Sequence, residues 1–333
     1  MTTDAPGSVT DWVSTGHLPG EEAVRELVAE AHRRFSPVQD CEVARYIPAL
    51  AAANPGHFGL CVASTGGLLF EAGESTQPFS IQSLSKPFLF ALLCQAIGED
   101  VARARLGVNS TGLPFNSVLA VERSGEGLSN PMVNAGAIAA TSLVPGDTAE
   151  AKWHFIEEGF SRFAGRQLQV DQAVYASEIA SNRRNLGIAT LLEEQQRIWF
   201  DPDAATDLYT RQCALSVTAR DLALMAATLA NGGCQPCSGE RVIEPLICQH
   251  VLAVMVTAGL YETSGDWLYD TGLPGKSGVS GGMITVCPGK GGLATYSPPL
   301  DESGNSVRGQ LTARFLSERL GLNLFASRPL APF

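Results

Sequence analysis

Apolar side chains recur at helical spacing from Glu21 to Phe35, where Val24, Leu27, Val28 and Ala31 share one face, so an amphipathic helix is predicted there. A short segment over 43–50 and the turn Asn54-Pro55-Gly56 follow, and the pattern then changes. Phe58 to Ala63 and Gly67 to Ala72 read as two strands, and Thr65-Gly66-Gly67 between them predicts a hairpin. An apolar lead-in ends at Ser83, and a helix is predicted from there to about Gly98 over a nearly continuous apolar run.

The middle of the chain, about 99–235, carries few strand signals. The small-residue run 130–140, then 149–163, 172–181 and 186–199, all read as helical. Thr218-Ala-Arg-Asp221 resembles a capping box that starts a helix over 222–230, and Asn231-Gly232 stops it. A further helix is predicted over about 244–258. Strand character returns at 278–286 and 292–296, separated by Pro288-Gly-Lys-Gly-Gly292 as a second hairpin, and a last helix runs from about 306 to 320.

Two hairpins so far apart in sequence can join into one antiparallel sheet with the terminal helices on one face. The predicted fold class is therefore α/β of the α+β type: an antiparallel sheet flanked by terminal helices, plus a helical lobe from the middle of the chain. Residues 1–20 are expected to be a flexible lead and 21–333 one domain. Its sheet lobe is expected at about 21–86 and 236–333, its helical lobe at about 87–235, and its site in the cleft between them.

Composition narrows the function classes. With 23 basic and 34 acidic residues among 333, the net charge is −11 and no Lys/Arg-rich run occurs, which argues against a nucleic-acid partner. The longest apolar run, around 87–97, is too short to span a bilayer. Residues 1–15 have neither the basic nor the apolar region of a signal peptide, so a cytoplasmic protein is expected, with no membrane partner. The 8 cysteines then read as free thiols. Cys234-Gln-Pro-Cys237 lies in a turn-rich loop with only Cys248 and His250 near it in sequence, so it is read as incidental, and no metal or cofactor is expected.

The candidate chemistry begins at Ser83-Leu-Ser-Lys86, where i, i+3 spacing on a helix puts a hydroxyl and an amine on one face. A lysine desolvated enough to lose its proton can be the base for a serine nucleophile. The chain uses lysine only at 86, 152, 276 and 290, the other basic residues being arginine, which cannot serve as a base near neutral pH. On these residues alone, a snorkelling lysine beside a capping serine fits equally well. A second lysine motif, Gly275-Lys276-Ser277-Gly278-Val279, sits where the late strand begins. The pair resembles the S-x-x-K and K-T-G elements of the serine β-lactamase and penicillin-binding group.

Five ordered blocks extend the likeness. They are Tyr46-Ile-Pro-Ala-Leu50; Gln82-Ser-Leu-Ser-Lys-Pro87; Gly112-Leu-Pro-Phe-Asn116 with Asn130-Pro-Met-Val-Asn-Ala-Gly-Ala-Ile138; Glu178 seven residues before Asn185; and Gly259-Leu-Tyr261, Gly272 to Gly282 and Tyr296-Ser-Pro-Pro-Leu-Asp301. On these the chain resembles the serine-dependent glutaminases of the short bacterial type, from about Tyr46 to Gly309. The resemblance implies a β-lactamase-like fold and hydrolysis of L-glutamine to L-glutamate and ammonia. It makes Ser83 the nucleophile, Lys86 its base and Tyr261 a proton-transfer partner, with the N–H groups of Ser83 and Val279 as oxyanion hole. Asn134, Glu178, Asn185, Tyr209 and Tyr261 would hold the substrate, with Tyr46 and Gln82 at the edge. It also implies a homodimer or homotetramer. The alternatives are a β-lactamase or D-alanyl peptidase, against which stand the absent S-D-N motif and the Glu178/Asn185 pair, and a non-catalytic sensor, against which stand intact Ser83 and Lys86.

Overall fold

The computed structural model describes residues 18–38, 41–45, 47–112, 117 and 129–326. The expected flexible lead lies almost wholly outside them, as does most of the block 112–116. Eight strands are described: β1 (Gly59–Ser64), β2 (Leu69–Gly73), β3 (Phe79–Ser80), β4 (Gln169–Val170), β5 (Leu215–Val217), β6 (Gly275–Ser277), β7 (Gly282–Cys287) and β8 (Gly291–Tyr296). Five form an antiparallel sheet in the order β2-β1-β8-β7-β6, and β3-β5-β4 form a second, small one. The two predicted hairpins do join: β1 pairs with β8 from Gly59 opposite Tyr296 to Ser64 opposite Gly291. This is the β-lactamase-like arrangement.

Helices Glu21–Phe35 and Val307–Arg319 cover one face of the large sheet, where Val24, Val28 and Leu316 pack with Leu60, Val62, Met283 and Leu293. The alternate positions Cys61, Ala63, Ile284, Val286 and Ala294 point the other way, into a larger core with Leu222, Ala223 and Ala226. With both faces covered, β7 and β8 are buried throughout, which is why their sequences read as continuous runs and not as alternation. Gly292 allows the close approach of the helix Ala219–Ala230. A Cβ there would sit 2.5 Å from that of Ala226. That helix carries the predicted capping box, Thr218 and Asp221 bonding reciprocally, and it lies against the sheet although the sequence groups it with the helical lobe.

The helices Asn134–Leu143, Ala149–Ala164, Gln172–Ser181, Arg183–Glu194 and Pro245–Ala258 answer the predicted ones. The helix expected over 186–199 begins earlier and stops at Glu194, where Gln196 takes a positive φ of 58°. Among the described residues four helices lie outside the predicted ones: Pro48–Ala51, Glu99–Leu106, Pro202–Cys213 and Ser264–Thr271. The strand expected from Gly278 is interrupted there. Gly281 N–H closes a turn onto Gly278 at 2.9 Å, so β6 and β7 form a hairpin with Val279 at its tip.

Candidate functional site

The nucleophile candidate sits on a strand-to-helix turn. Phe79 and Ser80 pair with Val217 and Ser216, and Ile81 N–H donates to Leu215 carbonyl at 2.8 Å. Phe79 also stacks on Tyr296 with ring centroids 4.1 Å apart, fixing the small sheet against the large one. The chain then turns at Gln82, φ 50°, into a 3-10 turn over Gln82–Leu84, and the α-helix begins only at Ser85. Pro87 is tolerated as its third residue because first-turn N–H groups have no intrahelical partner. The helix is buried from Ser85 to Cys94, so Lys86 is carried into the interior, 1% exposed.

Inside, the Lys86 amine donates to Asn134 Oδ1 at 2.7 Å and lies 5.9 Å from the Tyr209 ring centroid, with no carboxylate in salt-bridge reach among the described residues. Burial without a counter-charge lowers its pKa to about 7. Asn134 opens its helix after an extended Val133. Gly136 lets the 130–133 loop press against that helix, since a Cβ there would lie 2.0 Å from the Asn130 carbonyl oxygen. Asn134 Oδ1 also accepts from the Tyr209 hydroxyl at 3.2 Å, and its Nδ2 donates to Asn185 Oδ1 at 3.0 Å.

Glu178 and Asn185 come from two helices, because the chain breaks at Asn182 between Gln172–Ser181 and Arg183–Glu194. Asn182 Nδ2 bonds Thr210 Oγ1 at 2.7 Å and Tyr175 bonds Asp207, tying both helices to Pro202–Cys213, which carries Tyr209. Glu178 is half-buried, and loss of water raises its carboxyl to about 7, opposed by a hydrogen bond from Gln82 Nε2. Tyr261 opens the short turn Tyr261–Thr263 at φ 58°. Its hydroxyl bonds the Ser83 side chain and the Ser277 carbonyl, the latter at 3.5 Å, and burial pushes its pKa to about 12 despite both.

Gln82, Ser83, Asn134, Glu178, Asn185, Tyr209 and Val279 thus line one cleft of about 450 Å³, with Lys86 and Tyr261 buried behind its wall. Tyr46 lies outside the described residues. Its neighbours do not: Ala44, Ile47 and Leu50 pack on Val279, and Ile47 lines the cleft. Val279 N–H has no hydrogen-bond partner among the described residues and is free to meet a ligand.

Sequence reasoning missed Ser181, Asn182, Arg184 and Cys213 on the cleft wall. Cys213 lies four residues after Tyr209, a helical relation that recognition of the Pro202–Cys213 helix would have revealed. Its thiol is pushed up to about 12 by burial and the nearby Glu178. Lys276, noted for its motif, stands 4.1 Å over the Tyr261 ring and donates to the Ser277 carbonyl at 2.8 Å. Burial and the nearby Lys86 amine hold it well below the usual lysine range.

Known proteins share this arrangement over almost the whole chain. The glutaminase family model matches residues 41–325. Glutaminase 2 of Yersinia pestis is 57% identical over 328 residues, which are 98% of this chain and 96% of that protein. Among solved structures, the probable glutaminase ybaS superposes with a TM-score of 0.91 at 39% identity, covering 93% of this chain and 100% of that one. The Bacillus subtilis glutaminase YbgJ, in its covalent complex with 5-oxo-L-norleucine, superposes with a TM-score of 0.83 at 29% identity, covering 91% of this chain and 100% of that one. A likeness that runs through sequence and backbone alike, and takes in every element around the cleft, has one meaning: the chain belongs to the glutaminase family.

Proposed function

We propose that this glutaminase hydrolyses L-glutamine to L-glutamate and ammonia through a glutamyl-Ser83 ester, with Lys86 as base. One observation carries the assignment: Lys86 is a buried amine without a carboxylate partner, four positions from a strained turn and three from Ser83, and able to shed its proton near neutral pH. Ser83 Oγ attacks the side-chain amide carbon of glutamine while its proton passes to Lys86. The resulting oxyanion is met by the N–H groups of Ser83, near the start of its turn, and Val279. Collapse breaks the C–N bond, and ammonia leaves with the proton held by Lys86, Tyr261 lying close enough to Ser83 to assist. Water then adds to the ester with Lys86 again as base, releasing glutamate and restoring Ser83.

Glutamine also carries an α-ammonium and an α-carboxylate. Glu178, facing the cleft, is the partner for the first, and the side-chain amides of Asn134 and Asn185 supply donors for the second, joined by the Tyr209 hydroxyl once it turns from Asn134 to the substrate. Tyr46 is retained at the edge on sequence grounds. A single glutaminase domain working in the cytoplasm as a homodimer or homotetramer belongs to the same reading, and sedimentation and cell fractionation test it. Among the described residues no single helix is long and apolar enough to cross a membrane.

The test is ammonia release from L-glutamine by the wild-type chain, Ser83→Ala and Lys86→Arg, with L-asparagine and D-glutamine alongside. Both variants should lose several orders of magnitude while keeping the native circular dichroism spectrum. A Lys86→Arg enzyme with near-normal rate would reduce Lys86 to a fixed charge.

A further inference from the structure

Gln82, which the resemblance sets at the edge of the site, stands immediately before the nucleophile candidate, and the mechanism above gives it no step. Its backbone takes a φ of 50°, a region L side chains rarely adopt. Its side chain is 4% exposed. From there Nε2 donates to Ser80 Oγ at 3.2 Å and to Glu178 Oε1. Among the described residues no other side chain donates to Glu178, and Glu178 makes no salt bridge. One short amide therefore links the turn that carries Ser83 to a carboxylate on a helix 96 residues away in sequence.

We propose that Gln82 is the positioning residue for amine recognition: its left-handed backbone aims its side-chain amide at Glu178 and holds that carboxylate charged, one oxygen turned into the cleft. The proposal rests on the reading of Glu178 as the partner of the substrate ammonium. With Oε1 occupied by the Gln82 amide, Oε2 remains as acceptor for the ammonium. A donor on a carboxylate favours its charged form, whereas the half-buried wall favours the neutral one. The charged form of Glu178 is thus favoured by a bond anchored to the turn that carries the nucleophile candidate.

The other titratable groups near Glu178 do not take this role. From the helix Pro202–Cys213, Tyr209 and Cys213 both have pKa values far above neutrality and are neutral in the working range. Arg184, on the helix Arg183–Glu194, lines the cleft but is exposed and makes no ion pair with Glu178. Lys86 donates to Asn134.

The test compares Gln82→Met, which keeps length and removes the donor, and Gln82→Glu, which keeps the shape, against wild type and Glu178→Gln. Substrates are L-glutamine and glutaramic acid, its analogue without the amine. Loss of a hydrogen bond to a charged group predicts that Gln82→Met lowers kcat/KM for glutamine about tenfold or more at pH 7. The acid limb of its pH profile should move to higher pH, since Glu178 loses a donor that lowers its pKa, and activity should recover toward pH 9. Any loss with glutaramic acid should be several-fold smaller than with glutamine, and its profile should not move. In a Glu178→Gln background, Gln82→Met should have no further effect on the ratio of the two substrates.

An equal loss on both substrates with an unmoved profile overturns the proposal, because that is what a merely structural glutamine would give. If Gln82→Met does not fold, Gln82→Glu decides by the same ratio and profile. If Glu178→Gln itself fails to discriminate between the substrates, the Glu178 reading falls. If Glu178→Gln discriminates and the Gln82 variants do not, only the positioning role falls.

Discussion

Lys86 and Asn134 meet end to end, the amine donating to Oδ1 at 2.7 Å. Because the same oxygen accepts from Tyr209, the amide is oriented with Nδ2 toward Asn185, and the lysine is left beside a neutral acceptor. Asn134→Asp would put a carboxylate in that place with little change of shape. An opposite charge in contact raises a lysine pKa, here from about 7 to about 8–10, so the neutral amine at pH 7 should fall about 5- to 500-fold. kcat/KM should drop in proportion and recover toward alkaline pH. A loss that persists at high pH would assign Asn134 to substrate binding alone.

The wild-type pH profile should show two limbs of the same sign. Lys86 works as a base in its neutral form, which grows as pH rises through about 7. Glu178 holds an ammonium in its charged form, which also grows as pH rises through about 7. Below that pH, log kcat/KM for L-glutamine should approach a slope of two, and for glutaramic acid a slope of one. A slope of one for both substrates would remove Glu178 from the titration.

A diazoketone analogue of glutamine should add once per chain, on Ser83, as located by peptide mass spectrometry. Cys213 shares the cleft but should stay unmodified, because its thiol is held near 12 and thiolate is the reactive form. An adduct on Cys213 would overturn the serine route.

Stability away from the cleft should depend on the start of the helix Ala219–Ala230. Asp221 accepts from Thr218 N–H at 2.8 Å and from Arg166 at 2.8 and 2.6 Å. Thr218→Ala should cost about 1 kcal/mol. Asp221→Ala should cost about 2–3 kcal/mol, moderated by the partial exposure of Arg166. Denaturant unfolding measures both, and kcat/KM for glutamine should not change.

Where one face or one cap decided an element, the sequence could be read directly. The helix Gln172–Ser181 and the capping box at Thr218 fall where periodicity and end signals put them. The helix Pro202–Cys213 was hidden because its buried face mixes Thr206, Thr210 and Gln212, polar side chains that bond backbone or other side chains, with a short apolar stripe of Ala205, Leu208, Tyr209 and Cys213. Asp201 and Pro202 did mark its start. Strands β3, β4 and β5 span two or three residues, too few for alternation to register, yet β3 is what aims Ser83. Most of the cleft residues were named in advance because their types and order matched a family. Their convergence depends on tertiary contacts such as the bond between Gln82 and Glu178.

The pairing of β1 with β8 has a consequence for how the chain becomes active. Gly59 leaves the ribosome 237 residues ahead of its partner Tyr296, so the central ladder cannot close until that whole stretch has been made. Until then β1 has only β2 beside it and an open edge on the other side. Val279, at the tip of the β6–β7 hairpin, arrives with the closing strands and not with β1. The nascent protein is therefore expected to be silent toward its substrate and exposed to strand-mediated association, so that final closure of the sheet is both the folding step and the switching-on of the enzyme.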